Sequence, residues 1–304
     1  MSQLAPKTRD WESVFTTWSQ GPSNSEQQRA ENAERQIYQA IQGSDELRRR
    51  QIKVFTQGSY LNRVNIRKES DVDIGVVCFD SYYSDFTDDN VKSLVQSNET
   101  PSTYSYATFK NEVQRALEYR FGSRGVIRGD KAFQIDENTY RVNADVTPFF
   151  EHRRYTNSAR YLSGVQLFTD SNRIKIVNWP EQHYKNGVSK NSDTQRRYKR
   201  AVRILKTLRS EMDNVGITAA KPIPSFLVEC LVWNVPSRLF DYSSYKSLVR
   251  AILAQLFNDT LNVSSCSDWG EVSDLKYLFR GNQPWTREQV HAFVGAAWNY
   301  VGYE

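Results

Sequence analysis

Gln57-Gly58-Ser59-Tyr60, followed by Ser70-Asp71-Val72-Asp73-Ile74-Gly75-Val76, is the stretch on which the fold turns. Asp71, Asp73 and Gly75 alternate with Val72, Ile74 and Val76, the period of two that marks a β-strand with one buried face. Just upstream, Lys53-Val54-Phe55-Thr56 predicts a short strand running into the Gly58-Ser59 turn. Further on, Ala132-Phe133-Gln134-Ile135 and Tyr140 to Thr147 predict two strands paired around an Asp-Glu-Asn turn. The second of them sets Arg141, Asn143, Asp145 and Thr147 on one face and Val142, Ala144 and Val146 on the other.

That arrangement gathers acids. Side chains two apart on a strand leave by the same face, so Asp71 and Asp73 present paired carboxylates. Asp145 on a neighbouring strand adds a third, and three crowded acids repel unless a multivalent cation compensates them. Oxygen-only ligation suits Mg²⁺, with Mn²⁺ as a substitute. Two such ions about 4 Å apart activate an attacking hydroxyl and stabilise a leaving pyrophosphate. Gly58 lets backbone N–H groups approach a phosphate and Ser59 adds a hydroxyl donor. A D-x-D or a Gly-Ser pair alone carries little weight; the signal is their order along the chain, followed by a strand with a lone Asp. Neither G-x-x-x-x-G-K-[ST] nor G-x-G-x-x-G occurs.

Outward from this core, residues 1–22 carry Pro6, Gly21 and Pro22 and read as an arm. Ser23 with Glu26 forms a capping box for a helix through Ala30, Ala33, Ile37, Ala40 and Ile41. Phe109, Val113, Ala116, Leu117 and Phe121 make a second helical stripe, and the polar residues 84–104 before it read as a loop. From residue 190 the pattern is helical. Tyr198, Ala201, Val202, Leu205, Leu208 and Met212 share one apolar face, and helices follow after Pro224, over 245–258 and over 286–301. Arg196, Lys199, Arg203 and Lys206 line one side of the first of these. This stripe is read either as a solvated face or as a source of cations for a triphosphate, with Lys199 and Ser225 as the candidates for its tail. The expected architecture is α/β (α+β): a mixed-sheet core over residues 23–190, opened by a long helix packing across both lobes, then a helical lobe over 191–304.

Composition bounds the partners. The chain has 304 residues, 39% hydrophobic and 25% charged, which argues against disorder and coiled coil. The longest apolar candidate, Ile223 to Val235, is broken by Ser225, Glu229 and Asn234. It falls short of the roughly 20 residues that a membrane span needs. With no signal-like segment at Met1 to Glu12, a cytoplasmic protein without membrane partner is expected. Cys78, Cys230 and Cys266 form no C-x-x-C pair, and with His152, His183 and His291 they make a poor zinc set. The net charge of +5 points to an anionic partner.

Taken together, these residues resemble the polymerase-β-like nucleotidyltransferase superfamily, and within it the CD-NTases, the cGAS- and DncV-like enzymes of bacterial CBASS anti-phage systems. The resemblance rests on Gln57-Gly58-Ser59-Tyr60, Asn65-Ile66-Arg67, Ser70-Asp71-Val72-Asp73 and Ala144-Asp145-Val146. It continues through Val177-Asn178-Trp179-Pro180, His183-Tyr184, Asn186-Gly187, Pro224-Ser225-Phe226-Leu227 and Glu229-Cys230, and these later segments resemble the CdnE clade. Val64 departs from the threonine of many relatives.

The resemblance implies a catalytic core and a helical lobe with two nucleotides in the cleft between them. Asp71 and Asp73 would hold two Mg²⁺ ions, and Asp145 would complete the one that activates the acceptor hydroxyl. Gln57, Gly58 and Ser59 would grip the donor triphosphate. Relatives use one site twice, making a linear pppNpN and then a cyclic dinucleotide that switches on a co-encoded effector during infection. In the related clade, an asparagine at the position of Asn178 accompanies acceptance of a pyrimidine. An amide offers both donor and acceptor to the edge of uracil; the local alternative is that Asn178 bonds nearby backbone. The expected activity is Mg²⁺-dependent synthesis of a cyclic dinucleotide from UTP and ATP, such as cyclic UMP-AMP, with no stable nucleic-acid partner. The rival readings are transfer of one nucleotide to a small molecule, protein or RNA end, and an inactive RNA-binding module.

Overall fold

A computed structural model describes residues 9–66, 71–97, 102–137, 143–157, 160–281 and 283–304. The chain divides into two compact units, one of Ser23–Leu61 with Ser70–Glu181, the other of Met1–Pro22, Asn62–Glu69 and Gln182–Glu304. In chain order the first half contains α1 (Trp11–Trp18), α2 (Asn24–Gln42), β1 (Ile52–Thr56), α3 (Gly58–Asn62), β2 (Val72–Phe86), α4 (Asp89–Gln96), α5 (Tyr106–Phe121), β3 (Val126–Arg128), β4 (Phe133–Ile135) and β5 (Ala144–Asn157). There follow β6 (Arg160–Phe168), β7 (Lys175–Asn178), α6 (Pro180–Asp193), α7 (Arg197–Asn214), α8 (Ser225–Asn234), α9 (Tyr245–Leu261), α10 (Val263–Cys266) and α11 (Arg287–Val301).

Among the described residues, the seven strands form one mixed sheet in the order β1-β2-β5-β4-β3, with β6 joining β5 to β7. β2 and β5 run parallel and the remaining pairs antiparallel. The register follows from the apolar alternation. Val72, Ile74 and Val76 of β2 and Ala144 and Val146 of β5 are buried against a core that includes Ile37 and Ile41 of α2 and Phe109, Val113 and Leu117 of α5. A one-residue slip would turn every one of these side chains to the other face, so the hydrophobic pattern fixes the register. Ser23 caps α2 with the reciprocal Glu26 bond of a capping box, as its sequence predicts. β4 pairs with β5 as expected, while residues 138–142 of the intervening turn and strand lie outside the described residues.

Three expectations change. Within the arm over residues 1–22, Asp10 caps α1, and Trp11 and Phe15, one turn apart, are buried in the core of the helical unit. Residues 84–104 are not one loop, because β2 continues to Phe86 and Asp88 caps α4. α4 sets Val91, Leu94 and Val95 on one side, but it is only eight residues long and none of its residues is buried, so the pattern is too short to stand out from the polar stretch around it. β6, β7 and α6, which the residue pattern left unassigned, fill much of 160–193.

The helical unit packs α7, α8, α9 and α11 around Tyr198, Leu205, Leu227, Leu231, Ile252 and Phe293. Val64, the departure from the threonine pattern, is fully buried in this same core, where a methyl in place of a hydroxyl leaves no polar group to satisfy. Thr286 starts α11 with a second capping box, through Gln289. Cys78, Cys230 and Cys266 are buried free thiols. No helix among the described residues is long and apolar enough to cross a membrane.

Candidate active site

Asp73 of β2 lies directly opposite Asp145 of β5 in the parallel ladder. Parallel partners in register point the same way, so with Val72 and Val146 turned into the core the two carboxylates share the outer face. Asp71 stands one residue before β2 and two before Asp73. The ladder reaches it, because Val72 N donates to Asn143 O at 2.9 Å. Asp71 is exposed, and Asp73 and Asp145 are half-buried. Burial pushes the Asp145 carboxyl above the usual carboxylate range, and the negative charge of Asp71 pushes it further in the same direction.

The Gly58 turn is built against this pair. Gln57 N donates to Asp73 O at 2.8 Å, which pins the end of β1 to β2. The chain then turns through Gly58 at φ +63°, and a Cβ there would fall 2.1 Å from Asp73 Oδ2. Glycine is required twice, for the left-handed backbone and for the room that the carboxylate occupies. Gly58→Ala is therefore expected to displace Asp73 and cost at least about a hundredfold in turnover, since a misplacement near 1 Å has that effect. A turnover assay with a melting curve checks it; unchanged turnover would remove this turn from the site. Ser59 follows, half-buried, in the first turn of α3.

Among the described residues, no group of three or more His, Cys, Asp or Glu side chains forms a ready metal-ligand set, the aspartates included. Their chemistry nevertheless fits a hard divalent cation. They offer only carboxylate oxygens, and the repulsion that raises Asp145 is the kind that a bound cation relieves.

Asn178 ends β7, opposite Val165 of β6, and is exposed. Lys199 and Ser225 belong to the helical unit. Ser225 is the first residue of α8, preceded by Pro224, which supplies no side-chain cap. Lys199 is 9% exposed, and its ammonium lies 5.8 Å from the centre of the Tyr184 ring. Burial lowers its pKa, and the negative charge of Glu229 works against that.

Two members of the basic stripe, Arg203 and Lys206, are neither solvated nor spare, whereas Arg196, just before α7, is exposed. Arg203 spends its guanidinium on backbone carbonyls, Nε and Nη2 donating to Ser19 O at 2.8 and 2.6 Å and Nη1 to Arg63 O at 2.6 Å. Lys206, 3% exposed, pairs with Glu229 at 3.2 Å. Glu229 also meets His183 Nε2 at 2.8 Å, so one buried carboxylate ties α6, α7 and α8 together. Sequence reasoning gave His183 and Glu229 no role. Both stand in segments that carry the resemblance, but the physical signal was a Glu on a largely apolar helix, which in a buried position demands partners.

A mixed sheet with two in-register aspartates, a third beside them and a tight Gly-Ser turn is the polymerase-β-like nucleotidyltransferase fold, and solved structures agree. The Rhodothermus marinus CdnE c-UMP-AMP synthase, solved with Apcpp and Upnpp, superposes with a TM-score of 0.82 at 27% identity, covering 94% of each chain. Residues 185–302 match the cGAS/DncV-like nucleotidyltransferase C-terminal helical domain. Cyclic dipyrimidine nucleotide synthases CdnE of Cecembia lonarensis and Legionella pneumophila are 41% and 42% identical, over 95% and 96% of this chain and 98% of each relative. The chain belongs to the CD-NTase family of nucleotidyltransferases, in its CdnE-like clade.

Proposed function

We propose that the chain is a divalent-metal-dependent synthase of a pyrimidine-containing cyclic dinucleotide, with UTP as a substrate. The observation that carries the chemistry is the register of Asp73 against Asp145, with Gly58 folded onto Asp73. The names of the Cecembia and Legionella relatives favour two pyrimidines. The Rhodothermus neighbour, solved with an ATP and a UTP analogue, favours the second reading, one pyrimidine and one adenine.

Asp71 and Asp73 would hold two Mg²⁺ ions and Asp145 would share one of them. When bound, they would neutralise the triphosphate and acidify the acceptor hydroxyl. The protein's own groups orient the reactants. Ser59 and the backbone at Gly58, with Gln57 behind them, hold the donor triphosphate; in the helical unit, Lys199 and Ser225 are the proposed phosphate-binding residues. The ribose hydroxyl of the acceptor attacks the α-phosphorus of the donor. A new P–O bond forms, the bond to pyrophosphate breaks, and the hydroxyl proton leaves to solvent. The linear pppNpN then serves as its own donor, its remaining hydroxyl displaces a second pyrophosphate, and the ring closes. The product acts as the signal that switches on a CBASS effector encoded nearby during phage infection.

Asn178 reads the pyrimidine edge. In equimolar UTP, CTP, ATP and GTP, Asn178→Ser is expected to move the products toward purines by roughly tenfold or more, the scale of a lost base-edge hydrogen bond. Mass spectrometry of the products measures this shift. A variant with wild-type base composition would overturn the base-reading role.

A further inference from the structure

Asn178 has a seat, and its floor is a glycine. In the β6–β7 ladder Val165 faces Asn178, so one step further along sets Gly164 opposite Trp179. Gly164 is buried, and a Cβ on it would fall 2.7 Å from Trp179 Cε3, 2.8 Å from Cζ3 and 2.8 Å from the carbonyl oxygen of Asn178. Its φ is not in the left-handed region, so the need for glycine here is one of space and not of backbone conformation. The indole and the Asn178–Trp179 peptide together occupy the volume that any other side chain would take.

The other sides of the indole are equally fixed. The His152 ring stands at 84° to it, with centroids 5.4 Å apart, and Arg154 Cζ lies 4.6 Å from the ring centre. His152 and Arg154 are two apart on β5, so both rise from one face of the sheet. His152 is fully buried and cannot swing away, because Nδ1 shares a hydrogen bond with Gln166 Oε1 at 2.9 Å and Nε2 one with Asp85 Oδ2 at 3.0 Å. Trp179 is 3% exposed, and its indole N–H has no hydrogen-bond partner among the described residues. The position of the ring is thus set by shape, and the bare face of Gly164 is the part of that shape with no slack.

We propose that Gly164 and Trp179 are positioning residues for base selection: the indole, seated on Gly164 and walled by His152 and Arg154, fixes the peptide that aims Asn178. This rests on the reading of Asn178 as the residue that meets the pyrimidine. It identifies the selectivity element as a strand-end module built from β5, β6 and β7. None of the three aspartates belongs to it, so disturbing it changes which base is taken before it changes whether transfer occurs.

The test uses the full chain with Mg²⁺ and equimolar UTP, CTP, ATP and GTP, reading the pyrimidine-to-purine ratio in the products. The variants are Asn178→Ser, Gly164→Ala, their double substitution and Trp179→Phe. Gly164→Ala is expected to lower the ratio by roughly tenfold, in the same direction as Asn178→Ser. The double variant should match Asn178→Ser alone, as befits a residue acting through Asn178. The ratio does not depend on the folded fraction, so a merely structural loss lowers yield and leaves the ratio unchanged. If Gly164→Ala yields no folded protein, Trp179→Phe decides, since it loosens the seat without a collision and should shift the ratio several-fold. A shift by Asn178→Ser with a wild-type ratio in Gly164→Ala, or in Trp179→Phe where that variant decides, overturns the positioning role and leaves the base reading standing. A wild-type ratio in Asn178→Ser overturns both.

Discussion

Replacing Asp73 by asparagine is expected to reduce nucleotide transfer by at least about a thousandfold, equivalent to about 4 kcal/mol of transition-state stabilisation. The amide matches the carboxylate in size, so the contact with the Gly58 turn survives and only the charge is lost. The check is double: label incorporated from an NTP, and a melting curve showing that the variant is folded. Loss of activity with a fallen melting temperature would mean that Asp73 serves packing, and retained activity would remove the aspartates from the chemistry.

The second large effect is on stability. Glu229 is buried between Lys206 and His183, and it is the negative member of that cluster. Glu229→Ala leaves the Lys206 ammonium buried without its counter-charge, a defect that typically costs about 3–5 kcal/mol. A drop in melting temperature on the order of 10 °C is expected. Glu229→Leu with Lys206→Met removes both charges and should recover most of the loss. Burial by itself would raise the Glu229 carboxyl, but Lys206 and His183 outweigh it and hold the group down at about 2, below its ordinary 4.5. A depressed folded-state pKa means that the stabilisation is complete above the unfolded value. It is lost as pH falls from near 4.5 toward about 2. Urea titrations across that window should show a smaller acid loss in the double variant; parallel curves would contradict the charged state assigned to Glu229.

The contrast between the aspartates and this cluster shows what the chain discloses in one dimension. Asp71, Asp73 and Asp145 were legible because each alternates with a buried aliphatic residue, so period and polarity agree. The Gly58 turn was legible as glycine at a strand end. Its collision partner, Asp73 Oδ2, became visible only in three dimensions. Arg203 and Lys206 look solvated along a helix, and the groups that bury them, Ser19 O, Arg63 O and Glu229, come from distant parts of the chain. Gly164 sits in a strand where glycine ordinarily argues for a break, and its reason is an indole fifteen positions later. α1 keeps Trp11, Val14, Phe15 and Trp18 at the helical spacing i, i+3, i+4 and i+7, but this eight-residue stripe is flanked by Pro6, Gly21 and Pro22, the breakers on which the reading as an arm rests.

The central claim, cyclisation of two nucleotides of which at least one is a pyrimidine, is tested most directly by the product itself. The purified chain is incubated with all four NTPs and Mg²⁺, the mixture is treated with phosphatase, and what survives is weighed by mass spectrometry beside an Asp71→Asn, Asp73→Asn blank. The expected result is a phosphatase-resistant species with the mass of a cyclic dinucleotide containing uracil, absent from the blank. A product that phosphatase degrades, a purine-only ring, or a single nucleotide joined to another acceptor would contradict it.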